Sequence, residues 1–198
     1  MRLLAVCVGA VAPLRVRGPR GVPTEVASGI VKTAVSTLER PEPIPVGALG
    51  LAGDEQADPS VHGGLDKAVY LYPHEHYPVW SNLRAQAGLD AVLAPGALGE
   101  NLLVQGLLET TVYVGDRLTI GDVVLCVESA RQPCYKFNAR MGFAHASKMM
   151  VQSGYTGFYC SVVRQGKLTA GDPILIQPGD RVVTVEQSHR IRNRGRPD

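Results

Sequence analysis

The chain has 198 residues, of which 45% are hydrophobic, and a formal net charge of +2. A chain of this length buries about 70% of its unfolded surface, which predicts one soluble domain over 1–198 with a substantial core. The small net charge argues against a nucleic-acid partner, and no apolar run approaches the ~20 residues that a membrane-spanning helix needs. The first residues lack the charged start and long apolar core of a secretory signal. We therefore expect a cytoplasmic protein with no membrane partner.

Short β-rich runs recur along the chain between Gly, Pro and Asp residues. They cover 3–8, 29–35, 68–72, 101–104, 117–120, 123–128, 157–164, 173–176 and 182–185. Spacing of this kind favours a sheet that is closed or folded on itself over an alternating βαβ fold. Gly121 and Asp122 predict a two-residue hairpin turn between two of these strands, because both residue types tolerate a positive φ. The sequence therefore predicts a mainly β fold with a few helices.

Four other segments differ from this pattern. Residues 73–87, which begin with Pro, and residues 144–153 each end before a Gly, and these signals predict two helices outside the sheet or capping it. Residues 40–45 are too rich in Pro for regular structure, so we expect an extended edge or a connecting loop. Residues 187–198 form a basic tail, for which we expect a solvated, frayed terminus.

Cys134 differs from the other cysteines because it lies in a segment with turn chemistry and several cations. Pro133 before it removes a backbone donor and disfavours helix in the residue that precedes it, which predicts a thiol at the mouth of a loop or at a helix start. Neighbouring cations such as Arg131 and Lys136 favour the thiolate, which is both the nucleophile and the metal ligand, and they can also hold an anion. The alternative is a surface loop with an incidental thiol.

The remaining cysteines, Cys7, Cys126 and Cys160, lie inside strand-like apolar runs. In such runs a cysteine usually behaves as a small buried hydrophobe. No two of the four cysteines have C-x-x-C spacing, so neither a zinc ribbon nor a thioredoxin-type pair is supported. Four cysteines in a chain of this length do not indicate a disulfide scaffold, which favours a reducing compartment.

Two stretches concentrate polar residues. Residues 53–68 include His62 beside a Gly pair, which lets a backbone approach a ligand closely, and residues 99–101 read Gly-Glu-Asn. The alternative for each is turn chemistry, with His62 as a satisfied structural histidine. His74 and His76 flank a Glu, but residues two apart face different directions on a helix and the spacing is not H-E-x-x-H, so zinc is not favoured there.

Several segments taken together carry a family resemblance. They are 50–58, 61–68, 72–77, 99–102 and 131–136. In their order and spacing they resemble the MOSC domain family (molybdenum cofactor sulfurase C-terminal domain), in its stand-alone YiiM-like branch. The likeness runs from about residue 28 to residue 163.

This resemblance implies a MOSC-type closed or partly closed β-barrel that binds the molybdenum cofactor, a pterin that holds molybdenum through a dithiolene and ends in a phosphate. It implies an oxidoreductase that reduces N-hydroxylated compounds, such as hydroxylamino base analogues, with electrons from a separate reductase. In catalytic members of the family a cysteine matching Cys134 supplies a thiolate to molybdenum, and a soft thiolate suits a metal already bound by sulfur. Pyridoxal phosphate binding is a less favoured expectation.

The resemblance also implies roles for polar residues. The cations nominated to meet the phosphate or the oxo groups of the metal are Lys32, Arg131, Lys136, Arg140 and Arg164. The candidates for orienting the pterin or relaying protons are His62, Glu100 and Asn101.

The chain departs from the family pattern at its end, because YiiM-like members often continue into a helical C-terminal extension and this sequence stops at Asp198. The substrate range is therefore left open, and an open sheet edge would allow a homodimer. Two other functions are compatible with the sequence. One is a sulfur carrier or transferase with a persulfide on Cys134, and the other is a non-catalytic module that stores or delivers the molybdenum cofactor.

Overall fold

The structure is a computed structural model that describes residues 1–18, 21–58 and 63–194. In these ranges the strands are β1 Arg2–Val8, β2 Ala12–Arg17, β3 Pro23–Ser28, β4 Thr33–Thr37, β5 Ile44–Gly47, β6 Gly50–Leu51, β7 Val69–Pro73, β8 Leu102–Gln105, β9 Arg117–Ile120, β10 Val123–Ala130, β11 Phe158–Arg164, β12 Gly166–Leu168 and β13 Ile174–Gln177. The helices are α1 Tyr77–Gln86, α2 Tyr135–Met141, α3 Ala146–Ser153 and α4 Val185–Asn193. Short 3-10 helices cover Leu65–Lys67 and His74–His76.

Eight strands form one large sheet in the order β13-β9-β10-β11-β7-β8-β1-β4. The sheet is mixed, because β7 and β8 pair in parallel while the other neighbours are antiparallel. A parallel pair needs a crossover connection, and α1 lies in the one between β7 and β8. The smaller sheets are β12-β5-β6 and the ribbon β2-β3.

The mainly β fold with a few helices is confirmed, but closure into a barrel is not. No sheet in the described part of the chain closes on itself. The large sheet does curve, since an isolated antiparallel bridge joins Arg2 in β1 to Pro173 just before β13. The result is a sheet that folds over its own apolar face without a complete ring of strand pairs.

The central strand β7 is buried on both faces and separates two apolar clusters. Val69 and Leu71 point into one cluster, and Tyr70 and Tyr72 point into the other, as the alternation of side chains along a strand requires. The first cluster is mostly aliphatic and comes from other strands of the large sheet, from the small sheet β12-β5-β6, from loops and from α4. The second contains Trp80 and the inward faces of α1, α2 and α3. The cavity described below lies beside this second cluster.

Most of the predicted core elements are present. The expected hairpin turn is confirmed, because Ile120 pairs with Val123 and Gly121 between them has φ 56°. The helix predicted over 73–87 is a 3-10 turn followed by α1, and the helix predicted over 144–153 is α3. No helix in the described part of the chain is both long and apolar enough to cross a membrane.

Two predictions near the C-terminus are wrong. No strand forms over 182–185: Thr184 makes an isolated bridge with Tyr113, and α4 begins at Val185, so the basic tail is helical as far as Asn193. A capping box begins α4: the Thr184 hydroxyl accepts a hydrogen bond from the backbone N–H of Gln187. The connecting loop predicted over 40–45 is present at 40–43, whereas Ile44 and Pro45 belong to β5, which pairs on both sides and is therefore not an edge strand.

Several elements were not predicted, among them β2, β3 and α2. The ribbon β2-β3 lies in a polar stretch whose hydrophobic residues are sparse, and α2 is a short helix that begins directly after Cys134. The strand expected over 29–35 starts later, at Thr33, which leaves 29–32 as a loop. That loop and α2 face the same cavity.

Candidate functional site

A cavity opens where six separate segments of the chain meet. Its empty space is about 730 Å³, part of which is open to solvent. The residues lining it are Ser28, Gly29, Ile30, Lys32, Asp54, Glu55, Gln56, Ala57, Asp58, Lys67, Ala68, Tyr70, Gly99, Asn101, Arg131, Gln132, Cys134, Lys136 and Tyr159. The walls therefore combine a thiol, several cations, three carboxylates and two aromatic rings.

Cys134 occupies the N-cap position of α2 and lines the cavity. Its backbone is extended, with φ −124° and ψ 178°, and its carbonyl accepts hydrogen bonds from Phe137 N at 2.9 Å and Ser147 Oγ at 2.6 Å. The thiol makes no capping hydrogen bond and is partly buried. The expectation of a thiol at a helix start is confirmed, and the backbone around it is fixed from both sides.

The other cysteines show how different this environment is. Cys7 and Cys160 are fully buried, and burial raises the pKa of both thiols, so they stay protonated at neutral pH. Cys126 is half-buried, and burial, with Glu128 nearby, raises the pKa of that thiol too. None of these three lines the cavity in the part of the chain that the structure describes.

Arg131 places a fixed positive charge beside Cys134. Its side chain is 6% exposed, and its Nη1 donates to the Leu98 carbonyl at 2.6 Å. The guanidinium carbon lies 4.6 Å from the ring centre of Tyr70 and 5.0 Å from that of Phe137. Burial lowers the pKa of this guanidinium, but neighbouring Tyr70, then Tyr159 and Cys134, more than offset that effect. The group therefore stays charged, and a charge in this position favours a thiolate on Cys134.

Lys32 is held in a buried network. Its Nζ is paired with Asp54 Oδ1, and both side chains are more than nine-tenths buried. The other oxygen of Asp54 accepts from Asn101 Nδ2 at 2.8 Å, and Asn101 Oδ1 accepts from Tyr70 N at 3.0 Å. Lys32 and Asn101 thus line the cavity as expected, but their polar atoms already have protein partners.

Lys136 is more accessible than Lys32 and Arg131, the two buried cations of the site. It belongs to α2, and its Nζ donates to the carbonyl of Ala27 in β3 at 2.9 Å. This contact ties α2 to the β2-β3 ribbon across the cavity edge. A bond to one neutral carbonyl in an exposed setting is weak compared with a charge-assisted bond to a phosphate.

Three of the residues predicted for the site do not line the cavity. Glu100 is fully buried; it accepts from the Tyr77 hydroxyl and from the backbone N–H groups of Gly96 and Leu98, at 2.6 and 3.0 Å. Burial raises the pKa of its carboxyl, although these hydrogen bonds oppose the shift. Glu100 therefore fixes the conformation of residues 96–101, from which Gly99 and Asn101 reach the cavity.

Arg140 and Arg164 are the other two. Arg140 Nη2 donates to the Gly96 carbonyl at 3.2 Å, and burial lowers the pKa of its guanidinium. Arg164 Nε donates to the Asp122 carbonyl at 2.8 Å near the end of β11, beside the β9-β10 turn. His62, which was predicted as a catalytic residue, lies outside the described residues.

Gln132 is one of the cavity residues that sequence reasoning missed. It lines the cavity between Arg131 and Cys134, and both polar atoms of its side chain are buried with no hydrogen-bond partner among the described residues. Nothing in the sequence distinguishes it, because a Gln in a turn is ordinarily solvated. Tyr70 and Tyr159 were also missed. They lie far apart in the sequence and become neighbours in the cavity wall because β7 and β11 pair at these residues.

A conventional protein metal site is absent from the residues the structure describes. No three His, Cys, Asp or Glu side chains come together there in a way that could hold a metal ion. His76 instead pairs with the buried Glu109, with 2.8 Å between Nε2 and Oε2. Cys134 can therefore supply one ligand to a metal whose other ligands arrive with a cofactor.

The family model of the MOSC domain matches residues 58–175, which is more than half of the chain. The chain belongs to the MOSC domain family. The matched range contains Lys67, Tyr70, Asn101, Arg131, Cys134 and Lys136, all of which line the cavity. The family prediction is thereby confirmed.

Relatives of this MOSC protein place it among YiiM-like proteins. It is 40% identical over 140 residues to "Uncharacterized protein YflK" of Bacillus subtilis, covering 70% of this chain and 61% of that protein. It is 38% identical over 143 residues to "Protein YiiM" of Escherichia coli, covering 72% and 63%. The MOSC chain thus spans about three fifths of the length of these relatives.

Two further comparisons concern a longer protein and a solved structure. A protein named "Reductase" from Gibberella moniliformis is 34% identical over 171 residues, covering 83% of this chain and 30% of that protein. The crystal structure of YiiM from Geobacillus stearothermophilus superposes with a TM-score of 0.74 at 26% identity, covering 98% of this chain and 84% of that one. The fold of the MOSC chain is therefore that of YiiM. None of these names supports the pyridoxal phosphate expectation.

Proposed function

We propose that this MOSC protein is a molybdenum-cofactor-dependent oxidoreductase that reduces N-hydroxylated compounds to amines. The observation that carries the proposal is the position of Cys134, whose thiol shares one cavity with the buried cation Arg131 and the more accessible Lys136. Membership of the MOSC family and the relative named "Reductase" support the same class of chemistry.

The donor groups of the cavity fit this cofactor. A thiolate from Cys134 is a soft ligand that suits molybdenum held by sulfur, and Lys136 can exchange its bond to the Ala27 carbonyl for one to a phosphate oxygen. The unpaired amide of Gln132 shows polar capacity in the wall that no described residue uses. When bound, the cofactor supplies two-electron redox chemistry.

The residues of the site have different roles in the proposed function. Cys134 binds the metal, and Arg131 favours its thiolate form. Lys32 holds Asp54 and Asn101 in place, so it shapes the wall more than it binds the phosphate. A proton-relay role for His62 stays a prediction.

The proposed reaction is a two-electron reduction. The N–O bond of R–NHOH breaks, two electrons and two protons are taken up, and R–NH2 and water leave. The electrons come from a separate protein reductase, which acts as the reductant, and the protons come from water at the open side of the cavity. The electron-donating partner, a homodimer and a cytoplasmic location remain predictions.

The test compares the wild type with Cys134→Ala, and with Cys126→Ala as a matched cysteine control outside the cavity. All three are expressed in a host that makes the molybdenum cofactor, and molybdenum, pterin and hydroxylamine-compound reduction with a viologen donor are measured. We expect stoichiometric metal and turnover in the wild type and the control, and loss of both in a folded Cys134→Ala protein.

Unchanged metal content and turnover in Cys134→Ala would overturn the assignment of the metal ligand. Tight cofactor binding without turnover in the wild type would favour the storage or delivery module. Absence of both metal and pterin from the wild type, with a transferable sulfane sulfur on Cys134, would favour the sulfur carrier instead.

A further inference from the structure

Gln132 carries an unused pair of hydrogen-bonding groups in the wall of the cavity. Its Oε1 and Nε2 are both buried, and neither has a hydrogen-bond partner among the described residues. The neighbouring polar groups are already committed, since Arg131 donates to the Leu98 carbonyl and Lys136 to the Ala27 carbonyl. The amide is therefore a buried polar group of this wall that no described residue uses.

Such an arrangement is costly in the ligand-free protein. A buried polar atom without a partner keeps its full desolvation penalty, and native proteins pair the great majority of such atoms. The other glutamine of the cavity follows the rule: Gln56 Nε2 donates to the Leu49 carbonyl at 3.1 Å, and Gln56 Oε1 accepts from Gly64 N at 2.8 Å. Gln132 is thus unpaired in a cavity where a similar side chain is fully paired.

The chemistry of an amide defines what would pair with it. A primary amide presents a donor and an acceptor side by side, so its complement is a group with an acceptor beside a donor, such as a lactam edge or an aminopyrimidine edge. The rings of Tyr70 and Tyr159, whose centres lie 5.2 Å apart, line the same cavity and offer an aromatic surface to a flat ring.

We propose that Gln132 recognises the donor–acceptor edge of a flat nitrogen heterocycle that occupies the cavity. The amide is covered in the present structure, so it meets this ligand after a rotation about the single bonds of its side chain. This inference rests on the proposed function for the identity of the ring, which is either the pterin of the cofactor or the base of an N-hydroxylated substrate.

The experiment uses Gln132→Met, which keeps the length of the side chain and removes both polar atoms, and Gln56→Met as the matched control. Stability of the ligand-free proteins is measured by urea unfolding. We expect Gln132→Met to be at least as stable as the wild type, because it removes an unpaired amide, and Gln56→Met to be less stable, because it breaks two bonds.

Ligand measurements on protein from the cofactor-competent host then separate the two sources of the ring. If the ring is the pterin, Gln132→Met retains about tenfold less pterin after dilution and dialysis. If the ring belongs to the substrate, pterin content is unchanged, and the KM for a hydroxylaminopurine rises about tenfold while that for phenylhydroxylamine, which lacks the edge, does not. Equal pterin retention and equal KM values in the variant and the wild type would overturn the inference.

A separate arm keeps this test distinct from the test of the proposed function. If the wild type holds neither molybdenum nor pterin, binding of neopterin and of guanine to the ligand-free proteins is measured by calorimetry. Affinity that is about tenfold weaker in Gln132→Met supports recognition of the heterocycle without the proposed reaction. Equal affinity, or no binding to the wild type, would overturn it.

Discussion

Lys32 shows how burial changes the meaning of a charged residue. The sequence made it a candidate for contacting a phosphate, and the structure does put it in the cavity wall. Yet its ammonium group is paired with Asp54 inside the protein, and Asp54 in turn holds Asn101. Removing one member of a buried pair leaves the other charge uncompensated, which costs far more than losing a surface ion pair.

Two lysine variants separate stability from binding. Lys32→Met is expected to lose about 3 kcal/mol in the free energy of unfolding, because it leaves Asp54 buried without its cation. Lys136→Met is expected to lose less than about 1 kcal/mol, because it breaks one bond to a carbonyl, and to lower cofactor retention.

Urea unfolding and pterin content measured on both proteins check these values. A Lys32→Met protein as stable as the wild type would show that the Lys32–Asp54 pair contributes nothing to the free energy of unfolding. A Lys136→Met protein with full cofactor retention would argue against a phosphate-binding role for Lys136.

Part of the candidate site could be predicted from the sequence. Cys134 was distinguishable because Pro and cations surround it, and Arg131 and Lys136 follow from its own segment. Glu100, Arg140 and Arg164 were chosen for their charge, but the direction of a loop side chain depends on backbone geometry that no local pattern encodes. Gln132 could not be found at all, because what marks it is an absence of partners in three dimensions.

At the scale of elements, α4 shows local chemistry deciding against β propensity. Val182, Val183 and Val185 favour a strand, but Thr184 and Gln187 form a reciprocal capping box that begins a helix. The helix then buries Val185 and His189 against the rest of the protein. The capping signal is present in the sequence, but the prediction followed the branched residues and gave a strand.

A cap variant measures what this helix contributes. Thr184→Ala is expected to lower the free energy of unfolding by about 1 kcal/mol, since it leaves the backbone N–H of Gln187 without its acceptor. Cofactor content should not change, because α4 contributes no residue to the cavity walls in the described part of the chain. The check is urea unfolding together with pterin content; loss of pterin in this variant would show that α4 is coupled to the site.

The strands of the core were predictable because each combines branched or aromatic residues with turn signals at both ends. The β2-β3 ribbon was not, because it packs against α2 and lies outside the large sheet, so its residues lack the apolar alternation of a core strand. Closure of the sheet could not be decided from sequence either. It depends on how far the sheet curves, and here the curvature ends in a single bridge between Arg2 and Pro173.

At the scale of the whole molecule, a ligand in this cavity should stabilise the fold. A ligand that binds the folded state alone adds about 2.7 kcal/mol when its free concentration is a hundred times its Kd. We therefore expect protein from a cofactor-competent host to unfold at higher urea concentration than protein from a host that lacks the cofactor. Identical unfolding midpoints for two samples that differ in measured pterin content would contradict a cofactor site in this cavity.

The six segments that form the cavity also set the order of events in its assembly. They come from positions as distant along the chain as Ser28 and Tyr159, and they meet only after β1, β7, β8 and β11 have paired. Pairing between such distant strands is the slow part of folding for a β-rich chain. A nascent or truncated chain that has not yet made β11 has no complete cavity, so ligand loading follows folding and cannot guide its early steps.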